Sequence, residues 1–312
     1  IVLSHSGLNV DKKVAENTTG VDVIVGGHDN SLLSNTQEGA KGPYPVMVGD
    51  TAIVQAYAYG KFLGELNVVF DDEGVITEAK GEPILLDGSV AEEEGTKARI
   101  AEAAAPLDEI RNEVVAETSD AIEGDRSVCR AVECPMGNLV ADAMLDRVKD
   151  QGIEVAIANG GGLRASIDAG EVTMGEVLTV LPFQNTLSTF QVTGATLVEA
   201  LENGVSQMED GGGRFPQVSG MEITYDPTAP AGSRVASVKI GGAELAPDKL
   251  YKVAINDYML SGGDGYGALG GGRILVNAGN GNLMANDVMD YIAEKGTVTA
   301  KVEGRIRKLG AQ

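Results

Sequence analysis

Short apolar runs ending in glycine or a polar loop alternate along this chain with longer stretches of helical periodicity. Residues 1–3 and 21–25 read as buried strands, and residues 10–16 between them as a helix. Strands are expected near 52–57 and 63–70, with Asp71-Asp72-Glu73-Gly74 turning the second back into a partner over 75–80. Residues 92–119 are rich in Ala and Glu, with Ile100, Leu107, Ile110, Val114 and Val115 roughly at helical spacing. Pro106 within that run predicts a kinked or restarted helix, because proline lacks the N–H of the helical ladder. Further on, residues 136–149 and 196–207 predict amphipathic helices. Their stripes, Leu139, Ala143, Met144 and Val148, then Leu197, Ala200, Leu201 and Val205, suit core packing. The unbroken run 155–158 reads as a buried strand, segments 174–181, 190–193 and 221–225 as β-rich, and 287–295 as a last helix before 300–306. No internal repeat is visible.

This pattern predicts an α/β and α+β protein in three parts. Residues 1–90 form the closing half of an α/β domain, 91–121 a linker helix, and 122–312 a complete α/β domain. The 312 residues, 43% hydrophobic, suffice for two cores, and no apolar run approaches the ~20 residues of a membrane span. A net charge of −22 argues against a nucleic-acid polymer or an anionic membrane as partner. An acidic surface does not exclude small anions, because exposed charges are screened within about 8–10 Å at ordinary salt and local arginines then dominate a pocket.

The candidate chemistry lies in loops. Asn159-Gly160-Gly161-Gly162-Leu163-Arg164 follows the strand at 155–158; glycines there permit close backbone approach, and an arginine takes carboxylate or phosphate bidentately. Taken alone, the same segment also reads as a tight turn with a surface arginine. Phe183 sits in Leu181-Pro182-Phe183-Gln184-Asn185, and Tyr258 and Asp264 in the loop 256–266. Two loop aromatics in a chain with only 4% aromatic residues suit the sandwiching of a planar base. Arg130 lies beside the only cysteines, Cys129 and Cys134, whose spacing admits a small-loop disulfide, a reduced pair or half a metal site; no further Cys or nearby His completes a zinc site. The only histidines, His5 and His28, both end apolar strands, where α/β folds bind ligands and imidazole commonly takes transition metals. The glycine-rich 209–214 and 270–272 read as plain loops, the first lacking the Lys-Ser/Thr follower of a phosphate loop.

In order and spacing, the segments around Arg130, Asn159–Arg164, Phe183 and Tyr258–Asp264 resemble the C-terminal domain of the 5′-nucleotidase family, two-domain binuclear metallophosphatases of periplasm and cell surface. The likeness covers about the last two-thirds of the chain. It implies that Phe183 and Tyr258 stack on the base, that Asp264 binds the ribose hydroxyls, and that Asn159, Gly161, Arg164 and Arg130 hold the sugar and phosphate end. Tyr258 stands where many relatives have Phe. The likeness also favours a disulfide between Cys129 and Cys134, and with it an oxidising compartment, periplasmic or secreted.

Residues 1–90 resemble the last metal loops of the family's four-layer α/β/β/α metallophosphatase domain, with His5 and His28 matching metal-ligand histidines and Asn30 standing where relatives carry Gln or His. The family's Asp-x-His pair, bridging Asp and Gly-Asn-His-Glu loop have no counterpart in these residues. The chain is therefore expected to be the C-terminal portion of a longer enzyme holding two divalent ions such as zinc or manganese. On its own it is expected to bind metal weakly or not at all and to be inactive. Family relatives cleave nucleoside monophosphates, 2′,3′-cyclic nucleotides or nucleotide sugars, and the motifs do not choose among them. Two other readings are a nucleoside-binding module without chemistry of its own and a sulfur-ester hydrolase on the same scaffold.

Overall fold

The computed structural model describes residues 1–310 and divides into two compact units, residues 1–99 and Ile100 onward. The first unit is built of β1 (Val2–Leu3), α1 (Leu8–Asn17), β2 (Val23–Val25), β3 (Val46–Val48), β4 (Thr51–Val54), β5 (Phe62–Phe70) and β6 (Ile76–Leu85). Its sheet has the order β1-β2-β4-β3, parallel except at β3, and β5 and β6 form a separate antiparallel hairpin. Asp71 closes that hairpin as the sequence suggests, accepting from the Glu73 and Val75 amides. A small core of Leu8, Ile24, Leu33, Tyr44 and Ile53 underlies the sheet.

Helix α2 (Glu94–Arg111) spans the division between the units and runs through Pro106 without a break, so the expected restart is absent. Val114 and Val115 leave the helix altogether. They belong to β7 (Val114–Thr118), where Val114 pairs with Thr173 of β9 (Gly170–Thr173) and Val115 sits at a bulge in that pairing. The second unit continues with α3 (Arg126–Cys129), α4 (Pro135–Val148), β8 (Val155–Asn159), β9, α5 (Met174–Val180), β10 (Leu187–Thr193), α6 (Gly194–Gly204), β11 (Pro216–Ser219) and β12 (Met221–Tyr225). It closes with β13 (Val235–Ile240), β14 (Ala243–Glu244), β15 (Leu250–Asn256), α7 (Asp257–Leu260), β16 (Arg273–Val276), α8 (Met284–Lys295), β17 (Thr297–Val298) and β18 (Ile306–Lys308).

The second correction concerns residues 174–181, expected as β-rich and found as the helix α5. A reciprocal cap decides it: Thr173 Oγ1 accepts from the Glu176 amide while Glu176 Oε2 accepts from the Thr173 amide, and this outweighs the β-propensity of the apolar run.

The sheet that organises this unit has the order β11-β8-β15-β10-β16. Strand β8 is buried throughout, and its alternate residues enter different cores. Val155 and Ile157 join Phe190, Leu197 and Val253 on one face; Ala156 and Ala158 join Val140, Met144 and Val288 on the other. A strand covered on both faces needs an unbroken apolar run, which is why 155–158 lacks alternation. No helix among the described residues is long and apolar enough to cross a membrane.

Candidate functional site

Strand register brings the sequence-separated loops to one end of this sheet. Strands β8 and β15 are parallel neighbours, with Val155 opposite Val253, so their chains leave the sheet together after Asn159 and Asn256. Strand β10 begins at Leu187 opposite Asn256, and β11 begins at Pro216 opposite Asn159. The loops bearing Gly160–Arg164, Phe183–Asn185, Gly211–Phe215 and Tyr258–Tyr266 therefore share one sheet edge, the carboxyl end of the parallel pair, where such sheets bind ligands.

At its centre is a chain of side-chain hydrogen bonds. Asn256, 2% exposed, donates through Nδ2 to Asn159 Oδ1 at 2.9 Å. Asn159 in turn donates through Nδ2 to Asp264 Oδ2 at 2.7 Å. The hydroxyl of Tyr258 donates to Asp264 Oδ1 at 3.1 Å and accepts from the Asp264 amide at 3.2 Å. Behind the loop, Arg214 Nη1 donates to Asn203 Oδ1, and Asn203 Nδ2 to the Asp264 carbonyl, each at 3.0 Å. Among the described bonds Asp264 Oδ2 accepts from Asn159 and Oδ1 from Tyr258, and a carboxylate oxygen has lone pairs for a further donor. Asp264 holds this place at φ 52°, a left-handed conformation costing about 1 kcal/mol or more outside glycine. Burial and then the neighbouring Asp264 charge raise the Tyr258 phenol above its ordinary value, so at neutral pH it is a protonated donor.

Two aromatic side chains stand exposed beside this network, Phe183 at 53% and Tyr258 at 44%. Neither is core filler. A Cβ added to Gly263 would lie 2.5–2.6 Å from three atoms of the Tyr258 ring, so the glycine backbone packs directly against the ring. Phe183 lines a hollow together with Asn159, Asn185 and Asn256, and the Arg164 guanidinium lies 5.2 Å from its ring centroid.

The close approach that the glycine run permits is used, at Gly160 and Gly161, by the protein's own loops. Gly160 donates to Phe215 O and Gly161 to Gly213 O, both at 2.7 Å. Added Cβ atoms there would meet Cys129 O at 2.1 Å and Gly213 Cα at 2.8 Å. The room left by the missing side chains is taken by neighbouring protein loops rather than held open. Gly213 in turn sits against the Asp264 carboxylate, so the plain loop 209–214 is a wall of the site. Cys129 and Cys134 are joined, and Gln217 fastens their loop to β11, donating to Cys129 O and Val132 O and accepting from the Cys134 amide. Arg130, at the end of α3, donates to Gly211 O at 3.3 Å.

In the first unit, His5 follows β1 and His28 follows β2, and their ring centroids lie 5.2 Å apart, edge to face. Asp29 ties the surrounding loops together, accepting from the Leu8 amide, Gln55 Nε2 and the Ser31 amide. Burial alone would raise this carboxyl, but the hydrogen bonds outweigh it and hold it below its ordinary range. His28 and Asn30 both adopt positive φ, at 82° and 54°. Among the described residues no group of three or more His, Cys, Asp or Glu is arranged to hold a metal. Two imidazoles side by side with one nearby amide fall short of the donor set that a binuclear centre needs.

The converging loops of the second unit fall within residues 114–271, which match the family described as the 5′-nucleotidase C-terminal domain. The chain belongs to the 5′-nucleotidase family. It is 36% identical to the snake venom 5′-nucleotidase of Crotalus adamanteus over 334 aligned residues, covering 98% of this chain and 56% of the relative. A trifunctional nucleotide phosphoesterase protein of Bacillus subtilis is 38% identical, covering 99% of this chain and 21% of that protein. Among solved structures, the 5′-nucleotidase precursor of Thermus thermophilus superposes with a TM-score of 0.77 at 38% identity, covering 99% of this chain and 63% of that one. The chain thus spans somewhat more than half the length of the venom enzyme.

In this family member the structure gathers Asn159, Asp264 and Tyr258 into one bonded cluster, with Gly161 bonded to Gly213 and Arg164, Phe183 beside Arg164, and Arg130 on the adjoining loop. His5, His28 and Asn30 lie together in the other unit. Sequence reasoning gave no role to Asn256, Asn203, Gly213 or Asp29. The only signal for Asn256 was its place as an amide at a strand end ahead of a short helix, the usual position of an N-cap.

Proposed function

We propose that this chain supplies nucleotide binding to a metal-dependent phosphoesterase acting on nucleoside 5′-monophosphates or related nucleotides, such as 2′,3′-cyclic nucleotides or nucleotide sugars. One observation carries the reading: a carboxylate held by Asn159 and Tyr258, with exposed aromatic rings on the loops around it. In this reading Phe183 and Tyr258 stack on the base and Asp264 accepts from the ribose hydroxyls. Asn159, Arg164 and Arg130 hold the sugar and phosphate end, and Gly161 acts through shape, because no side chain fits between it and Gly213.

The residues of this chain that would hold divalent ions, zinc, manganese or similar, are His5, His28 and Asn30. Such ions, when bound, supply an activated water for attack on phosphorus. Two imidazoles and one amide are too few to organise two ions, so the chain alone is expected to be inactive. Residues 1–90 are assigned to the metal-binding domain, 91–121 to the linker and 122–312 to substrate binding. The disulfide supports an oxidising compartment, periplasmic or secreted.

The test is calorimetric titration of the chain with adenosine and with ribose. Adenosine is expected to bind and ribose not, and Phe183→Ala combined with Tyr258→Ala to lower adenosine affinity at least tenfold, two stacking contacts contributing about 1–3 kcal/mol each. If neither protein distinguishes adenosine from ribose, the stacking reading fails.

A further inference from the structure

The Tyr258 hydroxyl is not needed for stacking, since Phe presents the same ring. Here it closes a loop of its own, donating to Asp264 Oδ1 and accepting from the Asp264 amide. The ring that carries it cannot settle closer to the backbone, because Gly263 already packs directly against it. The Asp264 carboxylate is consequently held at both ends, by Asn159 on Oδ2 and by Tyr258 on Oδ1. Held at one end only, a carboxylate on a two-torsion side chain turns about its last bond, a broad and soft torsion.

We propose that the Tyr258 hydroxyl is a specificity-determining positioning group, which fixes the Asp264 carboxylate so that its spare lone pairs meet the two hydroxyls of a ribose and so selects ribo- over 2′-deoxyribonucleosides. This rests on the nucleotide reading above. The physical basis is the asymmetry of hydrogen bonding: a carboxylate pre-aimed at two hydroxyls loses one charge-assisted bond when the 2′-hydroxyl is missing, and an unfixed carboxylate adjusts to a single hydroxyl at little cost. Arg214 and Asn203 reinforce the arrangement by holding the Asp264 carbonyl from behind.

The experiment is a double-mutant cycle on the full chain, using Tyr258→Phe, Asp264→Ala and both together. Adenosine and 2′-deoxyadenosine are titrated by calorimetry, with a thermal melt as the folding check. The unsubstituted chain is expected to bind adenosine about tenfold more tightly than 2′-deoxyadenosine, the worth of one hydrogen bond to a charged group. Tyr258→Phe is expected to lower adenosine affinity three- to tenfold more than 2′-deoxyadenosine affinity, and to have no such differential effect once Asp264 is Ala. An adenosine preference that Tyr258→Phe leaves unchanged, or lowers equally without Asp264, overturns the inference alone. So does an unsubstituted chain that binds both nucleosides equally. Failure of the unsubstituted chain to bind adenosine overturns the nucleotide reading as well.

Discussion

Asn256→Ala probes the centre of the site at a residue not itself proposed to meet a ligand, acting through its bond to Asn159. The side chain is buried and makes two bonds, Nδ2 to Asn159 Oδ1 at 2.9 Å and Oδ1 from the Met259 amide at 2.8 Å. The second is the N-cap of α7, whose loss to Ala costs about 0.5–2 kcal/mol. The first leaves the Asn159 carbonyl, on a residue only 4% exposed, without its donor, a cost of about 1–3 kcal/mol. Together the substitution should destabilise the second unit by about 2–4 kcal/mol. Because the chain has two units, the relevant urea transition is the one that adenosine raises, followed by far-ultraviolet circular dichroism since the chain has no tryptophan. Asn256→Asp keeps the cap acceptor but turns a carboxylate toward Asn159 Oδ1, so it should recover only the cap portion. An Ala variant within about 0.5 kcal/mol of the parent would refute the claim that this pair organises the strand ends.

Two further outcomes follow from the first unit. Burial by itself raises the Glu82 carboxyl, but Glu82 accepts from the Ser34 and Thr36 hydroxyls and from the Asn35 and Thr36 amides, and these bonds together outweigh it and bring the carboxyl from 4.5 down to about 2. A lowered carboxyl contributes stability above its unfolded value and loses it as pH falls through the folded one. The stability gap to Glu82→Gln should therefore be full at pH 6 and shrink between pH 4.5 and about 2. For a carboxylate at the surface, still partly solvated, it amounts to no more than about 1 kcal/mol, and a gap that is constant or widens in acid contradicts the assignment. Any zinc binding by the chain is expected to be weak and to be abolished by His5→Ala and by His28→Ala alike, measured by competition with a chromophoric chelator; weak binding that survives either substitution would show that the two imidazoles do not share an ion.

What the sequence disclosed and what it hid divide along the range of the interactions. The strand at 155–158 was legible as an unbroken apolar run and the helices near 136–149 and 196–207 through their period, because burial on two faces or on one sets the pattern of neighbouring residues. The segment 174–181 was misread because a local capping box between Thr173 and Glu176 outweighed an apolar run of strand-like composition. Val114 and Val115 were misread because helical spacing continued past the helix end into a strand whose partner lies some sixty residues away. The candidate residues stood out by type, as loop aromatics, arginines and strand-end histidines. Their bonding did not, since Asn159 meets Asp264 across 105 positions and Asn256 across 97. The glycines at 160 and 161 show the limit most clearly: sequence announced a close approach, and only the structure showed that the Cys129 and Gly213 loops make it.

The most direct test of the central claim is a crystal structure of this chain with adenosine bound. The base is expected between the Tyr258 and Phe183 rings, with the ribose hydroxyls on the Asp264 carboxylate. Adenosine bound elsewhere, or seated there without contact to either ring, would contradict the account.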